Sequence, residues 1–287
     1  MKKVLLAGAT GHLGQHLLRE LQLQGHTVTV LARSAARAAA LSPAPHAVLL
    51  ADATLPEQLN GCCKGIDIVV SAIGKSISLK NKSQGSFQDI DFGANYNLLQ
   101  EAKQAGVQQF VYISAFKAEQ YPELAYFKAH ADFSDELRKS GISYSILQPT
   151  ALFSAFDEVV EMARKGMIGS LGDGHYKTNP VFEGDLAKVA VQCIGQAAAT
   201  IPIGGKKLYS RLELIQLACK AADYSGAIRS VPLGVVNPML PLLRPFSRNL
   251  YDKLAFLVAV SSEDCIAPLV GEYTLEEYFG LATEKIA

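Results

Sequence analysis

Residues 3–14 read Lys3-Val4-Leu5-Leu6-Ala7-Gly8-Ala9-Thr10-Gly11-His12-Leu13-Gly14. The run Lys3–Ala7 is short and apolar, as a buried strand requires. A helical pattern over Leu13–Gln24 follows and stops near Gly25. Glycines at 8, 11 and 14 therefore sit between a first strand and a first helix, the context in which such a pattern is informative. Gly8 can make the tight turn, Gly11 can let a pyrophosphate reach the backbone, and Gly14 can let the helix pack close. Thr10, His12 and Leu13 complete the candidate phosphate loop. The N-terminus of the helix offers free N–H groups and a partial positive charge to an anion.

The same rhythm continues outward. Further strands are expected at Thr27–Leu31, Ala47–Leu50, Ile66–Ser71, Gln109–Ile113 and Ser143–Leu147. Helices are expected at Arg33–Leu41, Pro56–Cys63, Phe87–Ala105 and Pro122–Ser140. Apolar strands alternating with helices imply a parallel sheet covered on both faces. Right-handed crossovers make it an α/β Rossmann fold, a doubly wound parallel sheet. After Thr150 the rhythm weakens. A helix is expected over Leu152–Lys165, another over Glu183–Gln196, and a capping box at Ser210 and Glu213 opens Leu212–Ala222. Prolines at 232, 238, 241 and 245 predict broken loops and short helices over Val231–Pro245. The division expected is 1–155 for a nucleotide-binding domain and 156–287 for a smaller substrate-covering region on the sheet's carboxyl edge.

The end of the second strand bears on cofactor choice. An NAD site wants an acidic residue there for the ribose hydroxyls. The sequence has Leu31-Ala32-Arg33-Ser34 and no acid. Arg33 can fork onto a 2′-phosphate, with Arg37 one turn on, so NADP(H) is favoured over NAD(H). Asp52-Ala53 follows the third strand, where an adenine amino group could be met; Asp52 could equally cap the next segment.

Composition narrows the field. The 287 residues carry 27 basic and 27 acidic side chains, a net charge of zero, with 49% apolar and 19% charged residues. That excludes disorder and a basic coat for nucleic acid. Trp is absent, so no Trp stacking platform exists. The five cysteines form no C-x-x-C and read as buried thiols of a reducing, cytoplasmic setting. The apolar run after Met1-Lys2-Lys3 ends at Gly8, too short for a signal peptide. Leu254–Val260 falls far short of the roughly 20 residues of a transmembrane helix.

These motifs resemble the short-chain dehydrogenase/reductase superfamily. The relevant residues are the three glycines, Arg33, Ser71-Ala72-Ile73-Gly74, Asn97-Leu98-Leu99 and Val111-Tyr112-Ile113-Ser114. Lys128 and the stretch Leu137–Thr150, including Gln148-Pro149-Thr150, are most similar to its atypical NmrA-like and isoflavone-reductase-like branch. The resemblance is strong over residues 1–155 and thin towards the end. It implies cofactor contacts from Ala72, Ile73, Gly74, Ser114, Pro149 and Thr150. Phe153 and Tyr176 are candidates for lining the nicotinamide pocket and equally for the core.

The superfamily's Tyr-x-x-x-Lys pair is missing, because Leu124 stands four residues before Lys128. Tyr126 would leave the opposite side of the helix. Tyr121 could share the face of Lys128 only if the helix extends through Pro122. In isoflavone-reductase-like enzymes a lone lysine at this position is catalytic, and Lys128 matches it. Beside a nicotinamide, Lys128 could orient the ribose or assist protonation, with partial burial lowering its pKa; the alternative is a ribose clamp in a binding protein. His130, two residues on, is expected to face elsewhere. His12 and His16 share a helix face but lack a third ligand, so no metal site is expected. Gly172-Asp173-Gly174 reads as a turn. Lys75–Lys82 reads as a polar, basic loop near the cofactor.

Besides an epimerase or lyase that retains its nicotinamide, whose usual form the absent tyrosine also counts against, two functional readings follow. One is an NADPH-dependent oxidoreductase acting on a small apolar carbonyl, enone or quinone. The other is a non-catalytic NADP(H)-binding sensor or assembly protein, for which Val231–Phe246 could serve as a protein-partner surface. A homodimer is open under both.

Overall fold

The structure, a computed structural model, describes residues 1–78 and 85–281. Six strands come first: β1 (Lys3–Ala7), β2 (Thr27–Ala32), β3 (Ala47–Leu50), β4 (Ile68–Ser71), β5 (Gln109–Ile113) and β6 (Ser143–Pro149). Shorter strands follow: β7 (Gly169–Leu171), β8 (Lys177–Thr178), β9 (Ala199–Ile203), β10 (Tyr209–Ser210) and β11 (Arg229–Val231). The main sheet has seven strands in the order β3-β2-β1-β4-β5-β6-β9. Every ladder among its first six strands is parallel, with Leu5 opposite Thr29 on one side and Val69 on the other. This is the expected doubly wound Rossmann sheet, and strand order reverses between β1 and β4. Ligands of such sheets bind outside the strands' carboxyl ends at that reversal.

The helices are α1 (His12–Leu23), α2 (Ala35–Ala39), α3 (Asn95–Gln104), α4 (Ala125–Lys139), α5 (Asp157–Arg164), α6 (Glu183–Gln192), α7 (Arg211–Ala221), α8 (Leu233–Leu243), α9 (Arg248–Ser261) and α10 (Leu275–Tyr278). Leu13, Leu17, Leu18 and Leu21 form the buried stripe of α1. Val4, Leu5, Leu6 and Ala7 are wholly buried, so β1 is central in position and in packing. Burying the Val and Leu side chains contributes about 1.5–3 kcal/mol each.

The chain forms two compact units. One comprises residues 1–76, 83–148 and 186–201; the other comprises 77–82, 149–185 and 202–287. The first unit thus takes back residues 186–201 after the chain has left it. Its core includes Leu98, Phe110, Tyr112, Phe133 and Ile146. The second unit is centred on Phe153, Tyr209, Leu214 and Leu275. All five cysteines are buried and free.

Several expected elements differ. The long helix expected over Phe87–Ala105 is a π-helical segment, Gln88–Ala94, running into α3. Pro56–Cys63 gives only a 3-10 turn, Pro56–Leu59. Leu152–Lys165 divides into a 3-10 turn, Phe153–Phe156, and α5. The helix expected from Pro122 begins at Ala125, after an extended Leu124, so Tyr121 lies outside it and cannot share the face of Lys128. The segment expected to be broken by prolines contains an eleven-residue helix, α8, with Pro238 and Pro241 inside. The polar stretch Lys75–Lys82 lies partly outside the described residues. Gly172 and Gly174 both have positive φ, at the turn expected there.

Candidate functional site

The three glycines of the first loop do different work. Gly8 has φ +85°, and a Cβ there would fall 2.5 Å from the Ala72 carbonyl oxygen beyond β4. A Cβ on Gly14 would fall 2.1 Å from the Gly8 oxygen and 2.6 Å from the Ala9 Cα. Both glycines are demanded by the fold itself. Gly11 is exposed, and its Cβ would meet only the Gly8 oxygen, at an ordinary 3.5 Å. No packing contact requires glycine at position 11, so its backbone is open to close approach. Gly11 is also the N-cap of α1, with no side-chain cap and no acid in the first turn. The helix end beside Thr10, His12 and Leu13 is therefore chemically open to an anion.

Two arginines stand at the end of β2. Arg33 is exposed, with Nη1 3.9 Å from Asp52 Oδ2. Arg37 reaches back from α2, and its Nη2 donates to the Thr10 carbonyl at 3.0 Å, bracing the glycine loop. Asp52 does not cap the 3-10 turn at Pro56–Leu59, whose N-cap is Leu55 with no side-chain bond; its Oδ1 accepts instead from the Thr54 N–H and hydroxyl, at 3.0 and 2.8 Å, within a local turn. Ala53 is buried, and its carbonyl accepts from Asn97 Nδ2 at 3.0 Å.

The segment after β4 is held from beneath. Asn95 Nδ2 donates to the Ile73 carbonyl at 3.3 Å, while Ser71 Oγ donates to Asn95 Oδ1 at 2.5 Å. The Lys75 backbone N–H faces both carboxylate oxygens of Asp91 at 3.2 Å. Asp91 and Asn95 thus fix Ala72-Ile73-Gly74, and the π-helical turn carries Asp91 to them. Lys75, at the start of the polar loop expected near the cofactor, is buried, and its Nζ donates to the Gly85 carbonyl at 2.6 Å.

A buried cluster that the sequence did not reveal adjoins this segment. His130 Nε2 lies 3.4 Å from Asp91 Oδ1, and its Nδ1 is 2.6 Å from the Tyr112 hydroxyl. The Tyr126 ring meets the imidazole edge-on at 4.7 Å. Burial pushes the Asp91 carboxyl up to about 8, opposed by the hydrogen bond from Lys75 N–H. Burial holds His130 down at about 3. It also raises the Tyr112 phenol well above its ordinary range. His130 is a partner inside the first unit, where spacing from Lys128 said only that it faces away.

Lys128 itself is exposed. Its side chain retains 53% of its accessibility and pairs with Asp132 one turn on. The side chain is covered over only about half its surface, and its head group is held by an ion pair. Ser114 follows β5 and is buried; its N–H donates to the Leu147 carbonyl at 2.7 Å, and its Oγ lies 3.4 Å from Ser134 Oγ.

In the second unit, Pro149 is buried at the end of β6. Thr150 Oγ1 donates to the Asn179 carbonyl at 2.7 Å. Phe153 is wholly buried against Phe182 and Tyr278, with centroids 6.0 and 5.5 Å away. It fills the core of this unit, the alternative already open for it. Among the described residues no three His, Cys, Asp or Glu side chains gather as metal ligands.

Residues 8–197 match the family described as NAD(P)H-binding. The chain is 31% identical to the photosystem II assembly factor Ycf39 of Cyanidium caldarium, over 90% of this chain and 84% of that protein. It is 28% identical to the chloroplastic divinyl chlorophyllide a 8-vinyl-reductase of Zea mays, over 96% and 75%. Among solved structures, the NADPH complex of the Escherichia coli quinone oxidoreductase QOR2 superposes with a TM-score of 0.70 at 17% identity, covering 96% of this chain and 98% of that one. The Citrobacter triphenylmethane reductase with NADP(H) gives 0.69 at 18%, covering 98% and 96%. At these identities the two structures speak to the fold.

Proposed function

We propose that the chain, which belongs to the NAD(P)H-binding family, is a cytoplasmic NADPH-dependent oxidoreductase of the atypical NmrA-like class of short-chain dehydrogenases/reductases. Its substrate would be a small apolar carbonyl, enone or quinone. The observation that carries this reading is the phosphate loop: an uncapped α1, a Gly11 with no packing reason to be glycine, and Arg33 and Arg37 in place of an acid at the end of β2. These residues fit a dinucleotide. Gly11, His12, Leu13 and the α1 end would hold the pyrophosphate, and Arg33 the 2′-phosphate. Ala72, Ile73, Gly74, Ser114, Pro149 and Thr150 would border the rest. The bound nicotinamide would supply hydride. Lys128 would donate a hydrogen bond to the ribose or the substrate oxygen, exchanging Asp132 for it. The likeness to the Zea mays reductase supports this class of chemistry.

A second reading is an NADP(H)-binding assembly or regulatory protein. The missing tyrosine, the Lys128–Asp132 ion pair and the likeness to assembly factors favour it. One experiment separates the two. NADPH is titrated by its fluorescence, and its oxidation is then followed at 340 nm with a panel of quinones and enones. Turnover of any member supports the oxidoreductase. Tight binding without turnover on the whole panel overturns it in favour of the second reading.

A further inference from the structure

The second unit carries an apolar stripe that its own fold leaves uncovered. Helix α8 packs against α9, with Leu240 buried. On α8, Val235, Met239 and Leu242 recur four and three residues apart, so they share one face. Their exposures are 52%, 58% and 66%, and Phe246, in the turn that follows, is 88% exposed. Scattered apolar side chains on a surface are ordinary, but a continuous helical row of large ones ending in a bare Phe is not.

The stretch of chain that carries the row has charge of one sign. Between Asp223 and Asp252 the chain has no Asp or Glu, and it carries Arg229, Arg244 and Arg248. All three arginines are exposed. Arg244 lies over the Tyr251 ring at 5.8 Å, and Arg248 approaches the largely buried Asp252 at 4.0 Å. In a protein of zero net charge, a 28-residue acid-free stretch that carries both the apolar row and three cations is a concentration of one sign along the chain. A second copy meeting this face symmetrically would set these arginines against their own equivalents. An anionic bilayer surface complements both features: its acyl boundary takes Leu242 and Phe246, and its headgroups take the arginines.

We propose that α8 and the α8–α9 turn form an interfacial docking surface for anionic lipid, with Leu242 and Phe246 as the inserted anchors and Arg244 and Arg248 as the headgroup contacts. No helix among the described residues is long and apolar enough to cross a membrane, so the contact is peripheral. The proposal does not depend on hydride transfer and is tested without it.

The full chain is floated with vesicles of phosphatidylcholine alone and with vesicles containing about one-third phosphatidylglycerol. The expected result is binding to the anionic vesicles only, weakened as salt rises. The double variant Leu242→Ser/Phe246→Ser should bind at least about tenfold less, and Arg244→Gln a few-fold less. NADPH titration of each variant controls for folding, because the substituted side chains are exposed. Failure of the wild type to float with anionic vesicles overturns the proposal, as does equal binding to neutral ones. Should sedimentation instead show a dimer that the double variant dissociates, the face belongs to a second copy and the proposal falls. Loss of NADPH turnover with vesicle binding intact would count against the oxidoreductase reading alone.

Discussion

Lys128 Nζ lies 2.9 and 2.8 Å from the two carboxylate oxygens of Asp132, one turn further along α4. Such an exposed pair stabilises a helix by only about 0.3–0.5 kcal/mol. Lys128→Ala should therefore leave the melting temperature almost unchanged. If Lys128 assists protonation, turnover at 340 nm should fall about 10²–10⁴-fold. Asp132→Asn should retain turnover, since it releases the ammonium. Undiminished turnover in Lys128→Ala would remove the residue from the chemistry.

Arg33 is the only basic residue among Thr27–Ser34, and its side chain is 68% exposed. Arg33→Ala should shrink the NADPH-over-NADH affinity ratio by about tenfold, the low end for a charge-assisted hydrogen bond in solvent. The measurement is a pair of fluorescence titrations. An unaltered ratio would refute the 2′-phosphate contact.

The glycines allow a contrast. Gly14→Ala drives a methyl to 2.1 Å from the Gly8 oxygen, so the chain should be severely destabilised or fail to fold. Gly11→Ala should fold, with at most about 1 kcal/mol lost at the N-cap of α1, yet bind NADPH more weakly, because its methyl occupies space the fold leaves open. Normal NADPH affinity in Gly11→Ala would contradict a pyrophosphate seated against this backbone.

The buried Asp91–His130 pair gives a pH signature. Asp91 titrates at about 8 in the fold against about 3.9 when unfolded. The folded chain holds the extra proton across that window, so stability falls as pH rises through it. His130 titrates at about 3 in the fold against about 6.5 unfolded. Its contribution is present above pH ~6.5 and is lost as pH falls towards 3. The two oppose each other between about pH 4 and 6.5, and Asp91 alone remains above that. Thermal melts should show the wild type losing stability from pH 6.5 to 8, with Asp91→Asn markedly flatter. Parallel curves would mean that Asp91 is ionised in the fold.

Much of the first unit was legible because its signals are local. The apolar run Val4–Ala7, the glycine spacing and the alternation through β6 each report on neighbouring residues. The π-helical turn was not legible: Asn95, Leu98, Leu99 and Ala102 keep α-helical spacing because they lie after it. His130 could not be read from Lys128, since its partners Asp91 and Tyr112 come from other elements. Prolines 238 and 241 predicted a broken segment, but packing on α9 outweighs the local penalty. Lys128 was legible as a position; its exposure and its partner were not.

The π-helical turn at Gln88–Ala94 amounts to one residue more than an α-helix would use over the same rise. Removing a single residue there would let the segment rewind as α and rotate everything before it by about 100° relative to α3. Asp91 would then turn away from the Lys75 N–H while Asn95 kept its place. Alignments of this helix with relatives that lack the turn should carry a one-residue gap between 88 and 94, and the presence of that residue marks which relatives can support the β4 loop from below.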